Sequence, residues 1–510
     1  MPRHAFHRLP PTTQLLVDGG DARIALNHEN LNQYGCAPCP DPELVALGSS
    51  TASGVSAAGY AAADTLRNKL VHALTAEPDT VIYTRELQRM RRELLDLCEL
   101  SSLHGLEVVF AASGTDLHLI AAQLASTAGS ATLAVMVESS ETGRGVPTAL
   151  SQRHFSTRTA LGAYVAEGDP ILPAEPGNNI TVVAVPIRLA DGSPRPRDEV
   201  DQEFAARADG AASLGQRVLL VLTDVSKTGL IAPSPSCVLS LQQKWPDLID
   251  VLVDACQFRI AAATLRAYLK QGFMVALTGS KFIGGPTFSG ALFLPTQAVP
   301  GARDRALPYI LADYSTRGDW PQNWNTSNLA ASVNFGLLLR WEAALHELRA
   351  LRAVAEADVH HFLREFSFEV SRHLMSSPVF QTLPVPALTR TPFIGGSCWD
   401  QTQTIFPFLL VNSAQAGAAP LNREQTTQIY RALQLNRTDA NTSPVRYQLG
   451  QPVACGHRDG IPVSALRLSV SARMVVKAAQ DRSSKSAVIA RALAALDQIA
   501  QLVLSGQYQR

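Results

Sequence analysis

Between residues 105 and 335, short apolar runs alternate with stretches of helical length, and this alternation constrains the fold more than any other feature of the chain. The runs are Leu106–Ala111, Thr132–Val137, Ile180–Pro186, Val218–Thr223, Val251–Val253, Val275–Leu277 and Ala291–Leu294. Strand-length runs separated by helices predict an α/β domain whose mainly parallel, seven-stranded sheet lies between helices. Open parallel sheets bind ligands at the carboxyl ends of their strands. Polar residues that directly follow the runs are therefore the candidates for chemistry.

The rest of the chain is arranged around that domain. Residues 1–60 mix short apolar runs with Gly, Pro, Asn and Ser and read as an N-terminal arm that also supplies part of a small domain. Residues 61–335 form the large α/β domain, opening with helices near Ala57–Leu74 and Arg85–Leu100. Residues 336–510 hold a linking helix, within a long helical pattern over Ser332–Leu374, and a small C-terminal α+β domain. The chain has 510 residues, 46% apolar and 17% charged, which suits a globular enzyme. Basic and acidic residues number 44 each, so no global field favours nucleic acid or an anionic membrane. Met1-Pro-Arg-His-Ala-Phe-His lacks a signal-peptide core, and runs such as Ala131–Val137 and Val218–Leu222 are too short to span a bilayer. Seven scattered cysteines fit a reduced, cytoplasmic protein. Cys36 and Cys39 are the one close pair, a weak metal signal beside a plain loop, and no metal is expected.

Three strand ends carry suggestive chemistry. Lys281 ends the apolar stretch Met274-Val-Ala-Leu-Thr-Gly-Ser-Lys281, and Gly284, Gly285 and Gly290 follow it, which would let backbone approach a bound group closely. A lysine between buried strands should be partly desolvated, which disfavours its ammonium form and makes it a nucleophile for imines. Otherwise it is a loop-edge lysine reaching water. Asp254 ends Leu248-Ile-Asp-Val-Leu-Val-Asp254, either to hold a cofactor nitrogen or to cap a helix over Gln257–Tyr268. An imine-forming lysine and a carboxylate for a pyridinium nitrogen are the groups pyridoxal phosphate most needs from its protein. Ser113-Gly114-Thr115 opens a helix after the first strand, where free N–H groups, hydroxyls and the dipole suit a phosphate or serve simply as a helix cap. Strand alternation puts Arg467 on the polar face of Ala465-Leu-Arg467-Leu-Ser469, as a bidentate partner for a carboxylate or as a solvated edge.

Ser113-Gly-Thr, Asp254-Ala-Cys-Gln257, Thr278-Gly-Ser-Lys281 and Leu466-Arg467-Leu-Ser469 occur in this order. Together they resemble the class V aminotransferase and cysteine desulfurase superfamily, fold type I of the pyridoxal-phosphate enzymes, over about residues 60–480. The resemblance implies a homodimer with shared active sites. It implies Lys281 as the residue joined to the cofactor, Asp254 on the pyridine nitrogen and Gln257 on the ring oxygen. It implies Ser113, Gly114 and Thr115 on the phosphate, with Ser280 beside Lys281, and Asn325 and Thr326 reaching the partner's phosphate. Arg467 would take the substrate α-carboxylate.

The chain also departs from that pattern. Met136-Val-Glu138-Ser-Ser keeps the family's acid but lacks its ring-stacking histidine, leaving His154 as a candidate from the following insertion. Ser226 stands where the family has an asparagine. The insertion from Glu138 to about Asn179 reads as a substrate loop using Arg144 and His154, or as a surface excursion. Cys455 and Cys398 are either reactive desulfurase-type thiols or inert ones. The expected activity is a pyridoxal-phosphate-dependent transformation of an amino acid or amino-acid-derived substrate, first an aminotransferase. The alternatives are a Cβ/Cγ-elimination lyase or desulfurase-like enzyme and, further off, a non-catalytic cofactor-binding regulator.

Overall fold

The computed structural model describes residues 9–126, 130–172, 179–298, 301–412, 419–435 and 445–506. Parts of the N-terminal arm and of the 139–179 insertion therefore lie outside the described residues.

All seven expected strands form one sheet. Its order is Glu107–Ala111, Gly290–Leu294, Met274–Thr278, Ile249–Asp254, Arg217–Asp224, Thr132–Val137 and Ile180–Val185. Gly290–Leu294 runs antiparallel to both neighbours, and the adjacent pairs among the last five strands are parallel. An eighth strand, the two-residue Ile231–Ala232, folds back on the end of Arg217–Asp224 and was not expected from the sequence. The central strands are largely apolar because helices cover both faces: every residue of Met274–Thr278 and Gly290–Leu294 is buried.

A second sheet has the order Leu44–Leu47, Arg446–Arg458, Ile461–Ser469, Ile405–Asn412 and Phe380–Thr382, with Ala419–Pro420 beside Ile405–Asn412. Leu44–Leu47 pairs parallel with the strand that begins at Arg446, so the N-terminal arm completes the small domain's sheet. The long pattern at 332–374 resolves into two helices, Phe335–Arg352 and Glu356–Ser376. The C-terminal helix Arg482–Leu504 is long and apolar enough to cross a membrane by composition. It buries Ile489, Ala492, Leu496, Ile499 and Val503 in the protein core instead.

Two local expectations change. The helix after Asp254 starts at Ala262 rather than Gln257 and has no side-chain cap, so Asp254 is not a capping residue. The glycines after Lys281 serve chain packing rather than approach to a ligand. A Cβ on Gly285 would meet Ala344, one on Gly290 would meet the Ser113 carbonyl, and Gly284 has φ +94°.

Candidate active site

The carboxyl ends of the strands deliver Ser113, Asp254, Ser280 and Lys281 to one cleft of about 470 Å³. The small domain closes it with Gln451, Pro452, Val453 and Arg467. The insertion forms a third wall through Thr142, Gly143, Arg144 and Phe155, so it is part of the cleft rather than an excursion.

Asp254 lies at the end of its strand and is 6% exposed. Its Oδ2 accepts from Thr142 Oγ1 at 2.9 Å and faces His118 Nε2 at 3.4 Å. Its Oδ1 accepts from the Cys256 amide at 3.2 Å. His118 comes from the helix Gly114–Ala125, and its Nδ1 donates to the Gly114 carbonyl at 2.7 Å. Both ring nitrogens thus face groups that only accept, which favours the imidazolium. Burial opposes both charges, yet the pairing prevails: Asp254 is held well below the usual carboxylate range and His118 is raised. Three contacts leave the carboxylate one lone-pair direction for a further donor.

Lys281 is half buried, lines the cleft and makes no ion pair among the described residues. Its charge acts on Asp254, His118 and Lys227, so the lysine and the acid share one electrostatic site. Its own carbonyl accepts from Ser53 Oγ at 3.0 Å, which fixes the backbone beneath the side chain.

Ser113 caps its helix, accepting from the Thr115 and Asp116 amides in a capping box with Asp116. It also lines the cleft with Gly114 and Thr115, so cap and candidate anion site coincide. Arg23, which sequence reasoning missed, donates to Ser113 Oγ and Thr115 Oγ1, both at 3.1 Å. Asp21 pairs with it, and its guanidinium lies 4.8 Å from the Phe288 ring centre.

Arg467 occupies an inner strand, pairing with Gly450 on one side and Pro407 on the other. It is 1% exposed, which removes the solvated-edge alternative. Its guanidinium bonds Thr51 Oγ1, the Gln451 carbonyl and the Lys227 carbonyl, and among the described residues it has no carboxylate partner. Its Nε is buried with no hydrogen-bond partner among the described residues. Burial without a counter-ion lowers it to about 10. Gly450 leaves room for this group, since a Cβ there would stand 3.1 Å from Arg467 Cζ.

Several expected residues sit elsewhere. Gln257 spends its amide on the Ser50 carbonyl at 2.9 Å and does not line the cleft, so it positions that loop. Ser226 Oγ donates to Glu141 at 2.7 Å and accepts from Leu230 N, which makes it a turn residue. His154 turns away to Tyr314, Nδ1 to hydroxyl 2.6 Å, while its neighbour Phe155 reaches the cleft. Asn325 and Thr326 lie outside the cleft of their own chain. The Asn325 amides bond the Arg303 and Asp304 carbonyls, and Trp324 bonds Glu107 at the opposite strand end from Ser113. Cys455 packs on the Gly192 carbonyl and Cys398 near Glu356, neither in the cleft, and burial pushes their thiols up to about 11 and about 12.

Neither a family model nor a curated protein matches the sequence. Solved structures do match its shape. A complex of the cystine C–S lyase C-DES with cysteine persulfide is 12% identical at TM-score 0.51, covering 87% of this chain and 97% of that one. A NifS-like protein from Rickettsia africae is 10% identical at TM-score 0.51, covering 90% and 99%. The likeness is one of fold, and that fold is type I.

Proposed function

We propose that this protein is a pyridoxal-phosphate-dependent transferase or lyase acting on an α-amino acid, and an aminotransferase first. One observation carries the reading. Lys281 and Asp254, ends of two neighbouring strands, enter the same cleft, and a buried arginine with no carboxylate partner faces that cleft from the other domain.

The residues suit the cofactor. Asp254 keeps its charge and a free lone pair for a ring N–H. Lys281 offers an amine without an ion-pair partner. Ser113 and Thr115 present hydroxyls and amides at a helix start beside the Arg23 guanidinium. When bound, pyridoxal phosphate supplies an electron-accepting ring that acidifies the α-proton of an amino acid joined to it. Asp254 would keep the ring nitrogen protonated, with His118 and Thr142 fixing the carboxylate. Arg467 would hold the substrate carboxylate and so orient the Cα proton, and the Lys281 amine would take and return that proton.

Borohydride treatment tests the reading. It should add the cofactor's mass to a peptide containing Lys281, and the label should vanish in Lys281→Ala; a protein that never takes up the cofactor rejects the proposal. Product analysis then separates keto-acid formation from release of ammonia or sulfide. Arg23→Ala is expected to weaken cofactor affinity about 10-fold or more through loss of a charge-assisted contact. Titration of fluorescence against added cofactor reads this, and unchanged affinity removes Arg23 from the phosphate site.

We also infer a homodimer with shared sites in a reducing, cytoplasmic setting. The first rests on the position of Asn325 and Thr326 outside their own cleft, the second on seven free cysteines. Light scattering at micromolar concentration should give twice the 54.7 kDa chain mass; a monomer that remains active rejects the shared site.

A further inference from the structure

The cleft holds more positive charge than the cofactor and one carboxylate would use. Arg23, Arg144, Lys227, Lys281 and Arg467 all line it, against two acids, Asp254 and Glu167. Arg23 is neutralised by Asp21, and Asp254 by His118. Glu167 is exposed at the rim. No ion pair is found for Arg144, Lys227, Lys281 or Arg467 among the described residues, although the whole chain is electrically balanced.

Lys227 is the unexpected member. It follows the strand Arg217–Asp224, and its backbone is clamped from both sides. Its amide donates to the Glu141 carbonyl at 2.8 Å, and its carbonyl accepts from Arg467 Nη1 at 3.2 Å. Its Nζ has one contact, to the Ser139 carbonyl at 3.4 Å. Glu141 cannot neutralise it, because that carboxylate is spent on Arg188, Ser226 and Thr228. Burial and the neighbouring Arg467, Lys281 and Arg144 charges lower the Lys227 ammonium to about 7. An anion among these cations would restore the ammonium form. Arg144 is exposed, with no hydrogen-bond partner among the described residues.

We propose that the cleft selects an amino acid with a second anionic group on its side chain, received by Lys227 and Arg144 while Arg467 takes the α-carboxylate. This rests on the amino-acid reading above and narrows its substrate class. The Ser113–Thr115 helix start and Arg23 already account for the cofactor phosphate, so they leave Lys227 and Arg144 without an anion.

Calorimetry on the full chain in phosphate buffer tests the site without turnover, using glutarate and butyrate, which lack an amine. Glutarate is expected to bind at least about 10-fold more tightly than butyrate, and Lys227→Met or Arg144→Gln should remove most of that difference. Arg144 supports nothing else in the fold, so its variant remains informative if Lys227→Met is unstable. Equal affinity for the two acids, or variants that weaken both equally, overturns the proposal. In cofactor-loaded protein, absorbance titration should favour glutamate over its neutral isostere glutamine by a similar factor, and this preference should collapse in Arg144→Gln. Failure of borohydride trapping together with retained glutarate selectivity would reject the enzyme reading and leave the dianion site standing. Trapping with no selectivity would do the reverse.

Discussion

Lys281→Ala is expected to lower turnover by about 10⁴-fold while leaving the fold intact. Among the described residues the side chain makes no hydrogen bond or ion pair, and it is half buried in an open cleft. The backbone beneath it is held independently by Ser53, whose amide bonds the Ser280 carbonyl and whose hydroxyl bonds the Lys281 carbonyl. Unfolding midpoints should therefore stay close to those of the parent protein. With cofactor kept saturating, because the variant cannot join it covalently, the loss should come almost wholly in kcat, since the amine acts on the proton transferred in the reaction. Small primary amines added to the variant should restore part of the rate in proportion to their concentration and basicity. A variant that keeps more than about a tenth of parent activity would mean that another base, with Lys227 as the other lysine lining the cleft, moves the proton.

The parts of this site that the sequence disclosed share one property. Strands buried on both faces must be apolar, so a polar residue at their carboxyl end stands out against the run before it. Asp254 and Lys281 are visible for that reason, and so is Ser113. Lys227 obeys the same rule after Thr223 and Asp224 but sits inside a turn whose serine drew attention first. His118 was hidden by its surroundings: Leu117, Leu119 and Ile120 make it look like one polar residue on a packed helix. Only the fold reveals that one turn past Gly114 faces the end of the strand Ile249–Asp254. Arg23 was hidden by distance, lying 90 residues before Ser113 in an arm with no periodic pattern. Gln257, Ser226 and His154 are candidates by sequence position, but the Ser50 carbonyl takes the Gln257 amide nitrogen, turn geometry takes the Ser226 hydroxyl and Tyr314 takes His154. A buried side chain satisfies the hydrogen bonds within reach, and one sequence does not show which those are.

The buried pair Asp254–His118 makes the second large prediction, one of stability and its pH dependence. Asp254→Ala should cost about 3–5 kcal/mol at pH values where the parent His118 is charged, since the buried ring must then either carry an unpaired charge or give up its proton. Asp254→Asn preserves shape and isolates the charge. In the parent protein the folded-state value of His118 is raised, so its share of stability is fully present below its ordinary value of 6.5 and fades as pH rises through the raised value. Asp254 is depressed, so its share is present above its ordinary 3.8 and is lost as pH falls towards the folded value. Between those limits both charges are intact and the pair contributes most. Asp254→Asn removes the charge and hydrogen bond that do most to raise His118, and leaves the Gly114 hydrogen bond against burial and the Lys281 charge, both of which lower it. The neutral ring is then the favoured folded form, so the variant should gain stability relative to the parent as pH rises through the histidine range. Denaturant unfolding of both proteins between about pH 5 and about pH 9 reads this as a converging pair of curves. Groups that Asp254 does not perturb, Lys227 among them, cancel in the difference. Parallel curves would mean that His118 stays neutral beside Asp254 throughout. The carboxylate would then be held by Thr142 and the Cys256 amide alone, and its strength as a partner for a ring nitrogen would owe nothing to the histidine.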